Sequence, residues 1–228
     1  MNITSLLNKA YFAPRLKEIG QYATRSEELQ NGVLQRLLHL AAGTEWGKKY
    51  NYADIHTYDE FRRRLPIQTY EEVKPYVSRL RQGEQNLLWP SEIKWFAKSS
   101  GTTNDKSKFI PVSRESLKDT HYRGGQDAVA IYLGQNPQSR FFSGKGLILG
   151  GSHAPNLSSN HSLVGDLSAI LIENIPSIVN LIRVPSKQTA LMSDFEEKME
   201  AIARETIGAN VTNLSGVPSW MLVLIKHI

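Results

Sequence analysis

The opening part of the chain places its apolar residues at helical spacing. Leu29, Val33, Leu37, Leu40 and Ala41 follow one another at intervals of three or four, with polar residues between them. This spacing predicts an amphipathic helix whose apolar stripe lies in the core. Gly43 follows the stripe directly and is a natural helix end. We therefore expect residues 1–43 to be helical.

Helix starts recur further along the chain. Thr57 to Glu60, Thr69 to Glu72 and Ser193 to Glu196 each match the capping-box pattern, in which a hydroxyl and a carboxylate cap the first turn of a helix. Ser113 is a further N-cap, for a helix that extends to about Leu133. Two adjacent glycines inside that helix cost about 1 kcal/mol each relative to alanine, so either a ligand or a packed helix is expected beside them.

Short continuous apolar runs become frequent after residue 92. Ile93–Ala97 and Phe109–Val112 flank a Ser/Gly/Thr/Asn/Asp segment, which predicts a strand, a loop and a strand. Two later strands are predicted at 146–151 and 209–214; each is followed by a turn, and the second turn leads into a helix at 219–228. Residues 154–190 resemble irregular structure. Alternating strands and helices favour an α/β fold, with a largely parallel sheet flanked by helices. We expect a helical region at 1–92 and an α/β region at 93–228.

The segment between the first two strands has the chemistry of a phosphate-binding loop. A glycine lets the backbone approach a ligand closely, successive N–H groups can bind an anion, and hydroxyls and ammonium groups add donors. These residues are Ser99, Ser100, Gly101, Thr102, Thr103, Lys106 and Lys108. The segment is not the G-x-x-x-x-G-K-[ST] nucleotide loop, because it lacks the second glycine and the Lys-Ser/Thr pair. A mobile hairpin loop without a ligand is the other interpretation.

Composition narrows the class of protein. The chain has 228 residues, 40% of them hydrophobic and 21% charged, as in ordinary globular proteins. It has no cysteine, no secretory signal pattern and no apolar run long enough to span a membrane, so we expect a cytoplasmic protein. The net charge of +5 is spread along the chain, which favours solvated helix faces over a nucleic-acid surface. The last residues belong to an apolar helical run, so we expect an N-terminal piece of a longer protein.

Four stretches together carry a family resemblance. The Ser99–Thr103 stretch, SSGTT, resembles the phosphate-binding signature of the acyl-adenylate-forming enzymes, the firefly luciferase-like superfamily. The stretches at 41–50, 65–73 and 216–220 read AAGTEWGKKY, LPIQTYEEV and GVPSW. In this order they resemble the auxin-responsive promoter family, the Gretchen Hagen 3 acyl acid amido synthetases. The resemblance covers nearly the whole chain.

The resemblance implies an ATP-dependent ligase. With ATP and Mg²⁺, such an enzyme adenylates a carboxylic acid and passes the acyl group to an amine, typically an amino acid. It implies that Ser99–Thr103 hold the ATP phosphates and that Lys106 or Lys108 assists the departing pyrophosphate. Asn104 and Asp105 stand where relatives often have glycine, which indicates a stiffer or differently aimed loop.

The resemblance also implies an acyl-binding site and several missing parts. The acid would contact Tyr122, Arg123, Gly151, Ser152 and Val217, where the guanidinium fork of Arg123 matches a carboxylate; Arg123 as an ordinary surface residue is the alternative. His153 is interpreted as a loop residue, and no residue is assigned as catalytic. The Mg²⁺ ligand, the ribose site and a C-terminal lid would lie beyond Ile228, so the chain alone is expected to be inactive.

Two other functions stay open from the sequence. Phenylacetate-type CoA ligases have a similar Leu-Pro-Ile opening and serine-glycine-threonine loop, and they transfer the acyl group to a thiol. A non-catalytic nucleotide- or nucleic-acid-binding module is the second alternative, although the aromatic-basic interleaving of single-strand binders is absent from the sequence. The preferred interpretation has a small carboxylic acid and an amine as partners, with no nucleic acid and no membrane.

Overall fold

A computed structural model describes residues 3–99 and 107–227. The helices are α1 Ile3–Leu7, α2 Ala13–Gly20, α3 Tyr22–Ala41, α4 Glu45–Lys49, α5 Tyr58–Arg64, α6 Tyr70–Arg81, α7 Arg114–Ser116, α8 Arg123–Gln135, α9 Leu167–Asn174, α10 Lys187–Ala190, α11 Phe195–Thr206 and α12 Pro218–His227. The strands are β1 Trp95–Lys98, β2 Phe109–Val112, β3 Lys145–Leu149, β4 Leu163–Gly165, β5 Arg183–Val184 and β6 Val211–Gly216. Short π-helical segments are Asn8–Phe12 and Leu117–Tyr122, and 3₁₀ turns are Tyr52–Asp54, Pro155–Leu157 and Ser177–Ile182.

The chain divides into two compact units. The first contains Met1–Leu16, His121–Leu157 and Val164–Ile228, and the second contains Lys17–Thr120 and Ser158–Leu163. None of the helices in the described part has the length and apolarity that crossing a membrane requires.

The first unit is built on a parallel sheet in the order β5-β3-β6. Parallel strands are buried on both faces, which explains why β3 is a nearly continuous apolar run. On one face, Leu147 and Leu149 of β3 and Val184 of β5 join a core with α11 and α12. The helical partners in that core are Met199, Ile202, Ala203, Met221 and Leu224. The predicted α/β arrangement with a parallel sheet is confirmed.

The second unit contains the helices α3 to α7 and the antiparallel pair β1-β2. Trp95 pairs with Val112 and Lys98 with Phe109, so the two predicted strands form a hairpin. The capping boxes at Thr57 and Thr69 are both formed, with Glu60 and Glu72 accepting from the N-cap backbone. The helical prediction for the start of the chain is confirmed for the described residues.

The predicted burial of the α3 stripe is wrong for three of its five residues. Val33, Leu37 and Leu40 are 49%, 39% and 41% exposed, while Leu38 and Ala41 are buried. Helical periodicity shows that one face of a helix is apolar, but it does not fix which face the neighbouring elements cover. Here the covered face contains Leu38, which is not part of the stripe, and Ala41, which is its last residue, while Val33, Leu37 and Leu40 remain at the surface.

Candidate functional site

The predicted phosphate loop starts from a closed hairpin base in the second unit. The Ser99 backbone N–H donates to the Lys108 carbonyl at 2.9 Å, and the Lys108 N–H donates to the Ser99 hydroxyl at 3.0 Å. Both of these amides are therefore occupied, and the donor that Lys108 offers is its exposed ammonium. Ser100, Gly101, Thr102, Thr103 and Lys106 lie outside the described residues.

Helix α6 supports this base and adds positive charge to it. The Phe109 N–H donates to the Tyr70 hydroxyl at 2.9 Å, and the Arg81 guanidinium lies 3.9 Å from the Phe109 ring centre. The Lys108 ammonium lies 5.6 Å from the Tyr70 ring centre. Cations on aromatic faces are partly held in place, so positive charge collects at the base of the loop. Such a field attracts polyphosphate.

Tyr122 and Arg123 lie at a change of helix type in the first unit. Leu117–Tyr122 is π-helical and Arg123 begins α8. π-Helical turns inside helices are frequent at functional sites. The Tyr122 hydroxyl donates to the Leu171 carbonyl of α9 at 2.9 Å, and burial raises the pKa of this phenol. Tyr122 is therefore anchored to α9.

Arg123 faces solvent beside an ion pair. Arg15 binds the Asp127 carboxylate with two hydrogen bonds, of 2.6 and 2.8 Å, and these hold the pKa of Asp127 below its usual value. Asp127 is thus already engaged, and the Arg123 guanidinium stays exposed. An added Cβ at Gly124 or Gly125 would meet no atom within 4 Å. Close helix packing therefore does not explain these glycines in the described structure.

The other predicted substrate residues follow the carboxyl ends of two neighbouring parallel strands. Gly151 and Ser152 come just after β3, and Val217 comes just after β6. Leu149 and Gly216 pair in register at this end of the sheet, and Val217 is 45% exposed. Ligands of open α/β sheets bind outside the carboxyl ends of such strands. The sheet therefore brings these three residues to the edge where a ligand is expected.

Backbone groups of the Gly150–Ser152 turn are hydrogen-bonded to α9 and its N-cap. The Gly151 N–H donates to the Ser168 hydroxyl at 2.8 Å. The Ser152 N–H donates to Asp166 Oδ2 at 3.1 Å, and the Asp166 N–H donates to the Ser152 carbonyl at 3.0 Å. All three bonds come from the first turn of α9 and its N-cap. Helix α9, which also accepts the Tyr122 hydroxyl, thus links Tyr122, Gly151 and Ser152.

Lys198 of α11 completes the turn from the other side. Its ammonium donates to the carbonyls of Gly150 and Gly151, at 2.7 and 2.9 Å, and the side chain is buried. Burial lowers the pKa of Lys198, and the nearby Asp166 partly opposes this effect. Sequence reasoning missed Lys198 because the segment EEKME resembles a solvated helix face. The available signal was spacing, since Lys198 shares the buried face of α11 with Met199, Ile202 and Ala203.

A small cavity of about 60 Å³ opens beside the turn. Its lining includes Gly151, Ser152, Asp166, Lys198 and, on the apolar side, Trp220. A cavity of this size holds a few water molecules or a carboxylate group but not a whole aromatic acid. Two of the five predicted substrate residues therefore line the described cavity, and Tyr122, Arg123 and Val217 lie outside its lining.

Comparisons with known proteins show the family of the chain. The model of the GH3 family N-terminal domain matches residues 15–228. The chain belongs to the GH3 family. It is similar to the probable indole-3-acetic acid-amido synthetase GH3.7 of Oryza sativa subsp. japonica, with 35% identity over 96 residues, which are 39% of this chain and 16% of that protein. It is also similar to the jasmonoyl–L-amino acid synthetase JAR4 of Nicotiana attenuata, with 30% identity over 94 residues, 41% of this chain and 16% of that protein.

Solved structures show the same fold for this GH3 chain. The AtGH3.15 acyl acid amido synthetase in complex with 2,4-DB superposes with a TM-score of 0.76 at 21% sequence identity. The match covers 99% of this chain and 39% of that protein. The expected fold class, the N-terminal part of an adenylate-forming enzyme, is confirmed. The chain spans about two fifths of the length of this solved relative.

Proposed function

We propose that this GH3 chain is the N-terminal part of an ATP-dependent ligase that adenylates a carboxylic acid and transfers the acyl group to an amine, typically an amino acid. In that reaction a carboxylate oxygen of the acid bonds to the α-phosphorus of ATP as pyrophosphate leaves. The amine nitrogen then bonds to the acyl carbon as AMP departs, and it releases a proton. Residues 1–228 would form the first portion of the large domain in a cytoplasmic enzyme of the luciferase-like superfamily.

The observation that carries this proposal is the tied turn at the carboxyl end of β3. A backbone turn that is fixed by five hydrogen bonds and lines a carboxylate-sized cavity suits the carboxylate end of an acyl acid. Gly151, Ser152 and Val217 would contact the acid from the sheet edge, and Tyr122 and Arg123 from the junction between the π-helical segment and α8. Arg123 is exposed, so its fork of donors is accessible to two carboxylate oxygens.

ATP is assigned to the hairpin loop of the second unit. Ser99 and Lys108 at its base, with Ser100, Gly101, Thr102, Thr103 and Lys106, would bind the phosphates. Lys106 or Lys108 would offset the charge of the departing pyrophosphate. The cations collected around Phe109 support this assignment. Within the described ranges no three His, Asp or Glu side chains are grouped as a metal ion would require, so no residue there is assigned to Mg²⁺.

The proposal is tested by acid-dependent ATP–pyrophosphate exchange on the gene product in which this chain continues past Ile228. Indole-3-acetate, jasmonate and 2,4-DB are the first acids to test, because these acids or their acyl groups appear in the descriptions of the similar proteins. Ser100→Ala with Thr102→Ala should lower exchange at least tenfold. Thr24→Ala with Ser26→Ala, on the exposed part of α3, is the matched control and should leave exchange unchanged. Exchange that persists in the loop variant would overturn the assignment of ATP.

The acceptor is decided by the products that the same enzyme forms from ATP, the acid and either an amino acid or CoA. Amide formation with amino acids supports the proposal. Thioester formation with CoA, and none with amino acids, would make the protein a CoA ligase. If no acid supports exchange and the chain instead binds nucleic acid with a steep salt dependence, the binding-module alternative takes its place.

A further inference from the structure

Two carbonyls of the Gly150–Ser152 turn depend on one side chain. The Gly151 and Ser152 amides have acceptors in α9 and its N-cap, and the Ser152 carbonyl accepts from the Asp166 N–H, but the Gly150 and Gly151 carbonyls are hydrogen-bonded by the Lys198 ammonium. Buried carbonyls rarely stay without a donor, because leaving them unpaired is costly. Lys198 comes from α11, an element that the family resemblance did not connect with the acid.

The backbone of the turn is also confined by its close packing against α9. An added Cβ at Gly151 would lie 2.1 Å from Asp166 Oδ2, and one at Gly150 would lie 2.7 Å from Ile172 Cδ1. At Gly151 the backbone therefore lies against the N-cap of α9 at a distance that only glycine allows, whereas at Gly150 the end of the Ile172 side chain could move aside. With α9 on one side and the Lys198 ammonium on the other, the position of Gly151 and Ser152 is determined from both sides.

We propose that Lys198 is a positioning residue for acid binding: its ammonium fixes the Gly150 and Gly151 carbonyls and so holds Gly151 and Ser152 in the geometry that receives the carboxylate. This inference rests on the proposed function. It goes beyond a core-filling role for Lys198, since an apolar side chain of equal length would fill the same volume without holding the carbonyls. Acid affinity, rather than ATP affinity, should therefore depend on the charge.

The first arm of the test uses steady-state kinetics of the longer ligase. Lys198→Met should raise KM for the carboxylic acid at least tenfold and leave KM for ATP within threefold. Lys187→Met is the matched control, because Lys187 also donates to a backbone carbonyl in the first unit, that of Glu173, but far along α9 from the turn. It should leave both constants unchanged. An unchanged KM for the acid in Lys198→Met would overturn the proposal.

The second arm isolates the charge and uses the 228-residue chain. Because the chain has no cysteine, Lys198→Cys gives it a single thiol. Alkylating the unfolded protein with 2-bromoethylamine restores an ammonium at the original length, and 1-bromopropane puts a methyl group in its place. After refolding, amide hydrogen exchange at Gly151 and Ser152 should be at least tenfold faster in the propyl protein, and near the parent rate in the aminoethyl protein.

The outcomes separate the two proposals. If no acid supports activity in the longer ligase, the proposed function fails, and the exchange rates still decide whether the ammonium holds the turn. If the ligase is active but the propyl and aminoethyl proteins exchange alike at Gly151 and Ser152, the positioning role fails and the proposed function stands. Thermal unfolding of both alkylated proteins confirms that each has folded.

Discussion

Lys198 and Arg183 are both buried cations of the first unit, each only 3% exposed, and they differ in what surrounds the charge. Lys198 lies on the α11 side of the parallel sheet, where two backbone carbonyls accept from it and Asp166 lies nearby. Arg183 precedes Val184 in β5. Because side chains alternate along a strand and Val184 faces α11, Arg183 faces the opposite side of the sheet.

The two environments treat charge in opposite ways. The Nε, Nη1 and Nη2 atoms of Arg183 have no hydrogen-bond acceptor within the described residues, and burial lowers the pKa of this guanidinium. A buried charge without partners costs several kcal/mol, whereas a buried charge that satisfies polar groups also holds structure together. Burial alone therefore does not tell whether a cation stabilises a fold. The acceptors around it decide.

The largest effect is expected when Arg183 loses its charge. Arg183→Met keeps a long side chain in β5 and removes the unpaired guanidinium, so the free energy of unfolding should rise by about 3 kcal/mol. Urea denaturation of the 228-residue chain measures this change. Arg204→Met, on the exposed side of α11, is the control and should leave the free energy of unfolding almost unchanged. A loss of stability would show that Arg183 has an acceptor outside the described residues.

The same substitution at Lys198 should act in the opposite direction. Lys198→Met leaves the Gly150 and Gly151 carbonyls without their donor, which costs about 1–3 kcal/mol for each, and the removal of a buried charge offsets part of this. We expect a net loss of about 2 kcal/mol by urea denaturation. Lys187→Met removes an ion pair with Glu173 and should cost well under 1 kcal/mol. If Lys198→Met and Lys187→Met lower the free energy of unfolding equally, the buried contacts of Lys198 contribute no more to stability than a partly exposed ion pair, and the prediction is wrong.

The local sequences around the two residues differ less than their environments in the fold. Lys198 stands among glutamates and Arg183 follows an apolar run, and neither pattern indicates a buried cation. The hairpin and the strands β3 and β6 could be predicted because their apolar runs are short and bounded by turn residues. The partners of Lys198 could not, because they come from residues that lie 47 and 48 positions earlier.

Helix α9 was the main omission in the sequence analysis. The stretch 167–172 is apolar apart from Ser168, so it gives no helical periodicity, and the composition of residues 154–190 predicts irregular structure. The element that positions Tyr122, Gly151 and Ser152 therefore could not be predicted from the sequence. The N-cap of α11 was also misplaced by one residue: Asp194, not Ser193, accepts from the Glu197 N–H. A carboxylate and a hydroxyl in neighbouring positions compete for this role, and local patterns do not separate them.

The pH dependence should separate the two cations further. The pKa of Lys198 is lower in the folded than in the unfolded state, so between these two values the unfolded chain binds more protons. Stability contributed through Lys198 therefore rises with pH in that window, by at most about 1.4 kcal/mol per pH unit. As the pH approaches the ordinary lysine pKa, urea denaturation should show that the free energy of unfolding of the parent rises relative to that of Lys198→Met. The difference between the parent and Arg183→Met should stay constant, because the guanidinium remains charged.

The smallest effect is expected on the amide side of the same turn. Ser168→Ala removes the acceptor of the Gly151 N–H and should cost about 1 kcal/mol, because this amide is only partly buried and water replaces the hydroxyl. Ser177→Ala, exposed at the start of a 3₁₀ turn, is the matched control. If Ser168→Ala costs more than Lys198→Met, the turn is held mainly by α9, and the ammonium is a lesser support. If it costs less, the carbonyl side governs the turn, because one buried cation there donates to two buried carbonyls.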